Sequence, residues 1–171
     1  DNVTTWGTPD PVPGVFVYVP NSAVMPFAAG VSCDQCSAGV TGTPLVSATT
    51  AVDGTFTLSN VPCGVDVPVV MQLGRWRRQI TVPKVACCTN TALTNAQTHL
   101  PRNKSEGDIP KIAIVTGSAD PMECVLPKIG IDTAEFTQPS GTGRINFYQA
   151  STAGAGATLS GTTPKDTALW G

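Results

Sequence analysis

Residues 72–124 constrain the fold of this chain most, because two kinds of structure meet there. The run 72–79 has the pattern of the last strand of a small β-sandwich, and 100–110 is a polar connection. The run 112–124 has the apolar strand and the turn with which an α/β unit begins. The sequence therefore predicts a mainly β protein, with a β-sandwich domain over residues 1–98, a linker over 99–108 and an α/β unit over 109–171.

The second unit is too short for a full doubly wound sheet. About 60 residues follow Ile109, whereas each βαβ unit takes roughly 30 or more. Three explanations stay open: the chain is a fragment of a longer protein, another subunit completes the unit, or the unit is a distinct small fold. We therefore expect a partial or partner-completed α/β unit.

The composition favours export and disfavours two classes of function. Charged residues make up 13% of the chain, and the net charge is −2. A basic cluster exists only at Arg75, Arg77 and Arg78, so nucleic-acid binding is disfavoured. No apolar run reaches the roughly 18–20 residues of a membrane span, so membrane association would need a partner or a missing anchor. The start at Asp1 resembles a mature N-terminus after processing.

The even number of cysteines predicts disulfides in an oxidising compartment. The pairing stays open, because six cysteines allow 15 connectivities. The candidates are Cys33, Cys36, Cys63, Cys87, Cys88 and Cys124.

Two cysteine motifs have functional alternatives. Cys33-x-x-Cys36 lies in a Gly- and Pro-rich loop, which favours a structural disulfide over a metal or redox site. Cys124 lies near the start of a predicted helix, where it could be a nucleophile. The only histidine, His99, lies in the linker, so we expect a buried or disulfide-bonded cysteine instead.

The first unit shows four strand-like runs. Residues 11–20, 67–74 and 76–83 are rich in β-branched residues, and Gly74 predicts a bulge or a kink. Asp53-Gly54 predicts a hairpin, followed by a strand in which Phe56 and Leu58 face the core. The irregular stretch 84–110 contains Cys87 and Cys88, which predicts a tie to the sandwich.

The second unit shows two strands and a short helix. The continuous apolar run 109–115 predicts a strand covered on both faces, and 144–149 predicts another. Asp120 is the expected N-cap, with Pro121 at the first helical position. Because Pro127 disrupts a helix interior, we expect a short or kinked helix that ends by Gly130.

Three runs in the first unit carry a resemblance to a known family: 15–18, 51–58 and 60–64. With them, Val15–Pro83 resembles the carboxypeptidase regulatory-like, or transthyretin-like, β-sandwich of the prealbumin/Ig-like type. The runs 74–79, 100–103, 106–110 and 130–132 also resemble a group of secreted bacterial proteins common in myxobacteria. There the sandwich precedes a Rossmann-like domain similar to the class I amidotransferase-like group. The resemblance implies a fold and export, and no known reaction.

Arg75, Arg77 and Arg78 surround Trp76 in a chain with few charges. On a strand, Arg75 and Arg77 share one face, while Trp76 and Arg78 share the other, where Trp76 would pack in the core. The arginine pair could bind a carboxylate or phosphate ligand. Alternatively, it forms a cation–π stack or a salt bridge to Glu106 or Asp108. We hypothesise that the arginines hold the sandwich to the second unit.

No group of side chains predicts catalysis, a metal or a cofactor. The clustered acids are Glu106 and Asp108 in the linker and Asp120 and Glu123 at a helix start, where acids normally stabilise the helix dipole. Two carboxylates acting as a catalytic acid and base would need a fixed separation in a cleft. A calcium site of the EF-hand type would need an Asp-rich loop. These residues predict neither.

The leading hypothesis is a non-catalytic structural or interaction module. It would be an accessory subunit of an exported, cell-surface or periplasmic assembly with protein partners. One alternative is a carbohydrate or small-ligand binding module that uses Trp6 and Tyr18. Another is the N-terminal fragment of a larger secreted enzyme whose active site lies beyond Gly171.

Overall fold

A computed structural model describes residues 1–5, 9–30, 39–119, 121–151, 156–159 and 161–170. The fold is mainly β, as predicted, and contains two sheets. The first sheet is antiparallel, with strands β1 (Phe16–Pro20), β2 (Pro44–Thr49), β3 (Val67–Leu73) and β4 (Trp76–Val82). Their spatial order is β2-β1-β3-β4, so β2 and β4 are the edges.

Strands β3 and β4 form a tight hairpin, in agreement with their β-branched runs. Leu73 pairs with Trp76, so the loop consists of Gly74 and Arg75 alone. Gly74 has φ +56°, in the left-handed region that favours glycine. Gly74 therefore forms the hairpin turn, in place of the bulge or kink predicted at this position.

The expected hairpin after β2 is replaced by a pairing with the N-terminus. The turn itself forms, because the N–H of Gly54 donates to the carbonyl of Ala51 at 2.9 Å. The chain after the turn, however, pairs with residues 1–3. The N–H of Phe56 donates to the carbonyl of Asp1 at 2.7 Å. The strand predicted over Phe56 and Leu58 thus does not return along β2, and only the bridge Asn2–Thr55 is formed there.

One face of the antiparallel sheet carries the larger core. Irregular segments, rather than a second complete sheet, form the layer over this face, and they contribute Leu58, Val61, Val85, Leu93 and Leu100. Isolated bridges join parts of this layer, for example Thr4 to Pro11 and Thr4 to His99. The buried members of the core are Val3, Val15, Val17, Val19, Phe56, Val67, Val69, Met71 and Val82.

Along the chain, a single helical turn, α1 (Asn95–Thr98), follows the strands of the first sheet. The strands of the second sheet come after it. The strands β5 (Ile112–Thr116), β6 (Phe136–Thr137) and β7 (Ile145–Gln149) are parallel, in the order β5-β7-β6. Parallel strands are expected in an α/β unit.

The connection after β5 contains the short helix that the sequence predicted. A 3-10 turn, Met122–Cys124, leads into α2 (Val125–Lys128). Pro121 occupies the N-cap position, and the predicted cap Asp120 lies outside the described residues. Gly130 has φ +97° and follows the helix end. Pro127 is tolerated because the helix is only four residues long.

Within the described residues, strand β5 at the edge of the second sheet is covered on one face only, which corrects the prediction for β5. Ile114 is buried, while Ala113 is exposed and Val115 is 41% exposed. The small core on the covered face consists of Ile114, Ile131, Ile145 and Phe147. No helix in the described part of the chain is long and apolar enough to cross a membrane.

Candidate functional site

The junction between the two units is built around Arg77 of β4. Its guanidinium donates through Nε to Oδ2 of Asp108 at 2.9 Å, and Nη2 lies 2.8 Å from the same oxygen. The two backbones also pair, with N–H···O distances of 3.0 and 2.7 Å. A Cβ on Gly107 would overlap the carbonyl oxygen of Arg77, so this close approach requires glycine. Arg77 is only 6% exposed, and the pair therefore joins the linker to the first sheet.

An aromatic ring completes this environment. The Phe27 ring centroid lies 4.1 Å from Cζ of Arg77 and 5.3 Å from Cζ of Arg75. Arg75 donates to the carbonyl of Ala28 at 2.5 Å, and Arg77 donates to that of Met25 at 2.9 Å. Both arginines therefore hold the segment around Phe27 by cation–π contact and by hydrogen bonds to its backbone.

Tyr18 lies in the first sheet near this junction. It is fully buried, and its hydroxyl donates to the carbonyl of Thr41 at 2.9 Å. Burial raises the pKa of Tyr18, and the charge of Arg77 opposes that rise. Tyr18 is therefore not an exposed sugar-stacking aromatic, and Trp6 lies outside the described residues.

Arg78 and Trp76 lie on the other face of β4. Arg78 donates to the carbonyls of Ala96 and His99 at 3.2 and 3.1 Å. Trp76 packs against the small core of the second unit, rather than in the core of the first. Trp76 thus packs against a core, as expected, but against the core of the second unit, because the second sheet covers this end of β4.

Glu106 binds a residue of its own linker. Its carboxylate accepts the N–H of Arg102 at 2.9 Å and pairs with the Arg102 guanidinium. Burial alone would raise the pKa of Glu106, but the hydrogen bonds from Arg102 lower it below its usual value. Of the two acids that were candidates for Arg77, Asp108 is the partner in the structure.

Glu135 is a structural residue that the sequence did not single out. It is buried, and its two carboxylate oxygens accept the backbone N–H groups of Lys104 and Arg144 at 2.8 and 3.1 Å. It therefore fastens the linker to the second sheet. A single acid in a mixed segment gives no signal of this role. Glu123 lies in the 3-10 turn before α2, away from this cluster in the chain.

The structure contains a disulfide between Cys63 and Cys87, with a Cα–Cα distance of 5.0 Å. It ties the irregular stretch after β4 to the first unit. Cys88 and Cys124 are exposed free thiols, which corrects their place among the disulfide candidates. Cys87 already closes the bridge beside Cys88, and Cys124 is the only cysteine of the second unit. Cys33 and Cys36 lie outside the described residues.

A cleft of about 870 Å³ opens on the side of the first unit that lacks a second sheet. Its floor contains Val67, Val69 and Val82 from the sheet. Residues 57–61 form one wall, and residues 85–93 form the other. This volume lies in the range of ligand-binding pockets.

Comparisons with known protein families, with curated proteins and with solved structures found no match for this chain. The fold and the junction define a mainly β protein with two sheets and a disulfide. The resemblance to secreted bacterial sandwich proteins stays a prediction.

Proposed function

We propose that this chain is a non-catalytic interaction module that acts as an accessory subunit of an exported assembly. A strand of a protein partner would pair with the outer edge of β2. The observation that carries the proposal is the state of this edge over Val46–Thr49, which offers backbone hydrogen bonds and lacks the usual protection.

Strand β2 ends the first sheet, and none of its six residues is charged. Leu45 is 51% exposed, and Ser47 and Thr49 are exposed as well. Among the described residues, the backbone of β2 makes strand hydrogen bonds only toward β1. Proteins normally protect an edge with lysine, proline or a bulge. Here Pro44 and a register shift lie at one end, and Val46–Thr49 stay open.

The charged side chains of the junction support a structural role. Arg77 is paired with Asp108, and Glu106 with Arg102. Both oxygens of Glu135 accept backbone N–H groups. These groups stabilise chain segments, whereas an acid or base in catalysis must be able to reach a substrate.

The finer description of the fold belongs to the same proposal. The first unit would be a transthyretin-like sandwich whose second layer is reduced to short bridges between irregular segments. The second unit would be a partial α/β unit, and the exposed face of β5 favours completion by a partner. The disulfide supports an exported location, because such bonds persist in oxidising compartments.

Native mass spectrometry of the protein from its natural source tests this function. We expect the chain inside a larger particle, and we expect Ser47→Lys to release it, because a charge on an edge strand opposes strand addition. Thr81→Lys is the matched control, since Thr81 is an exposed residue on the opposite edge strand β4. A free monomer in the natural source, or a particle that tolerates Ser47→Lys, would contradict the proposal.

A further inference from the structure

The wall of the cleft at residues 57–61 is a strand-like segment that pairs with no other described segment of the chain. Its burial alternates as in a strand: Phe56 is buried, Thr57 exposed, Leu58 half-buried and Ser59 exposed. Yet within the described residues the backbone groups of Thr57, Leu58 and Ser59 make no hydrogen bond. Buried or half-buried backbone groups normally find partners, so this edge is open to one.

The pairing next to this wall shows how a partner would lie. Residues 1–3 run antiparallel to residues 54–56, with Val3 N–H donating to the Gly54 carbonyl at 2.8 Å. In this ladder, Phe56 turns both its N–H and its carbonyl toward Asp1. Alternate residues of a strand direct these groups to the same side, so those of Leu58 lie on the same edge as those of Phe56. The cleft occupies that position, because both Asp1 and Leu58 line it.

The opposite wall also offers backbone groups. Asn90, Thr91 and Ala92 line the cleft, and their main chains make no hydrogen bond to any described residue. A chain lying between the walls could therefore bind main-chain groups on both sides. The apolar floor would contact every second side chain of such a chain.

The lining sets the chemistry of the occupant. Asp1 is the only residue with a charged side chain among those that line the cleft, and its carboxylate already accepts the N–H of Leu93 at 2.9 Å. The remaining polar side chains are uncharged Ser, Thr and Asn. A negatively charged occupant would lose hydration here without gaining an opposite side-chain charge, and a positively charged one would find only Asp1 at one end of the cleft.

We propose that the cleft binds an extended, uncharged peptide segment of a partner protein, with apolar residues at alternate positions. The segment adds as a strand antiparallel to residues 57–59, between the two walls of the cleft. Strand addition takes its affinity from main-chain hydrogen bonds and its specificity from alternate side chains. This inference rests on the proposed interaction function, but it uses a different surface from β2.

The test uses the purified chain and a displayed library of random heptapeptides, from which enriched sequences are synthesised. We expect the enriched peptides to be uncharged, with β-branched or aromatic residues at every second position. Peptide N-methylation at alternate positions should weaken binding by about tenfold or more, because each removes a hydrogen-bond donor. N-methylation at the intervening positions should have little effect.

Amide hydrogen exchange locates the bound peptide. The amides of Leu58 and its neighbours should exchange rapidly in the free protein and about tenfold or more slowly in the complex. Amides of β2 should not change. The Ser47→Lys variant should bind the peptides as the parent does, since Ser47 does not line the cleft.

Three results would overturn the inference: no enrichment of uncharged peptides over background, no alternation in the N-methyl scan, or protection of β2 in place of residues 57–60. The last result, with loss of binding in Ser47→Lys, would leave the proposed function standing and reject the cleft. Conversely, peptide binding in the cleft together with a free monomer in the natural source would support the cleft and reject the assembly role of β2.

Discussion

The two sheets of this chain differ in how much core supports them. The antiparallel sheet has nine buried apolar residues in its core, whereas the parallel sheet has four. Trp76 from β4 and α2 residues such as Leu126 complete the smaller core. Hydrophobic stabilisation scales with buried apolar area, so the second unit depends on its contact with the first.

The linker strengthens this dependence through polar contacts. The N–H of Asp132 donates to the Arg102 carbonyl at 3.0 Å, and Glu135 binds the N–H of Lys104. Arg77 and Asp108 join the other end of the linker to β4. A small parallel sheet can thus be ordered when an adjacent, larger unit supplies both apolar cover and fixed chain ends.

The largest effect is expected from Arg77→Ala. This change leaves Asp108 without its partner and removes the Phe27 contact. Breaking a fully buried pair costs about 3–5 kcal/mol, and because the Asp108 side chain is 35% exposed we expect a loss at the lower end of that range. Denaturant unfolding should show this loss, and amides of β5 and β7 should exchange faster.

Arg75→Ala is the control for that experiment. Arg75 shares the Phe27 ring but lies in the exposed hairpin turn, so the loss should be below about 1 kcal/mol. If Arg77→Ala left both stability and the exchange of the second unit unchanged, the junction would not couple the two units.

The second effect concerns the disulfide, which lies in the first unit alone. The bond between Cys63 and Cys87 closes a loop of 24 residues, so replacing both by alanine should cost about 3 kcal/mol. Thermal unfolding under non-reducing conditions measures the change.

Cys88→Ala is the matched control, because Cys88 is an exposed thiol next to the bridge. It should change the free energy of unfolding by less than about 0.5 kcal/mol. Equal losses in the two variants would mean that the bridge stabilises nothing beyond local contacts.

The third effect concerns Trp76, which packs against the smaller core. Trp76→Ala should destabilise the second unit by about 1–3 kcal/mol, less than for a fully buried tryptophan, because Trp76 is half-buried. The amide hydrogen-exchange rates of β7 should rise more than those of β1. Trp170→Ala should have no effect, since Trp170 is 85% exposed. Equal loosening of both sheets by Trp76→Ala would place this residue in the larger core after all.

Local sequence signals predicted the elements that depend on local pairing. Strands β3 and β4 and the helix end at Gly130 follow from β-branched runs, proline and glycine. The strand at Phe56 could not be predicted in its true pairing, because its partner is the N-terminus, about fifty residues away in the chain.

The junction was predictable in part. A salt bridge from the arginines to Glu106 or Asp108 was one of the alternatives that the sequence left open, and the choice between the two acids depends on Arg102. Arg102 precedes Glu106 by four residues, and a turn rather than a helix brings the two side chains together. The spacing alone therefore did not predict this pair. The cleft, in contrast, arises from how irregular segments cover the sheet, and no residue pattern encodes it locally.

The smallest expected effect is the dependence of stability on pH through His99. Burial lowers the pKa of His99 below 6.5, although its hydrogen bond to the Leu100 carbonyl opposes this. Between the two pKa values the unfolded chain binds more protons than the folded chain, so stability rises with pH in that window. The contribution is complete above pH 6.5 and is lost as the pH falls through the folded pKa.

Urea unfolding at a series of pH values, with His99→Asn as the comparison, isolates this contribution. The parent should lose stability on acidification below pH 6.5, and the variant should lose less in the same window. The lowered pKa of Glu106 acts only below its usual value of 4.5, so both proteins should share the steeper loss there. If the stability curves of the two proteins ran parallel between pH 5 and 7, protonation of His99 would not destabilise the fold. The bridge between Thr4 and His99, which joins the N-terminus to the linker, would then not be opposed by a charge on His99.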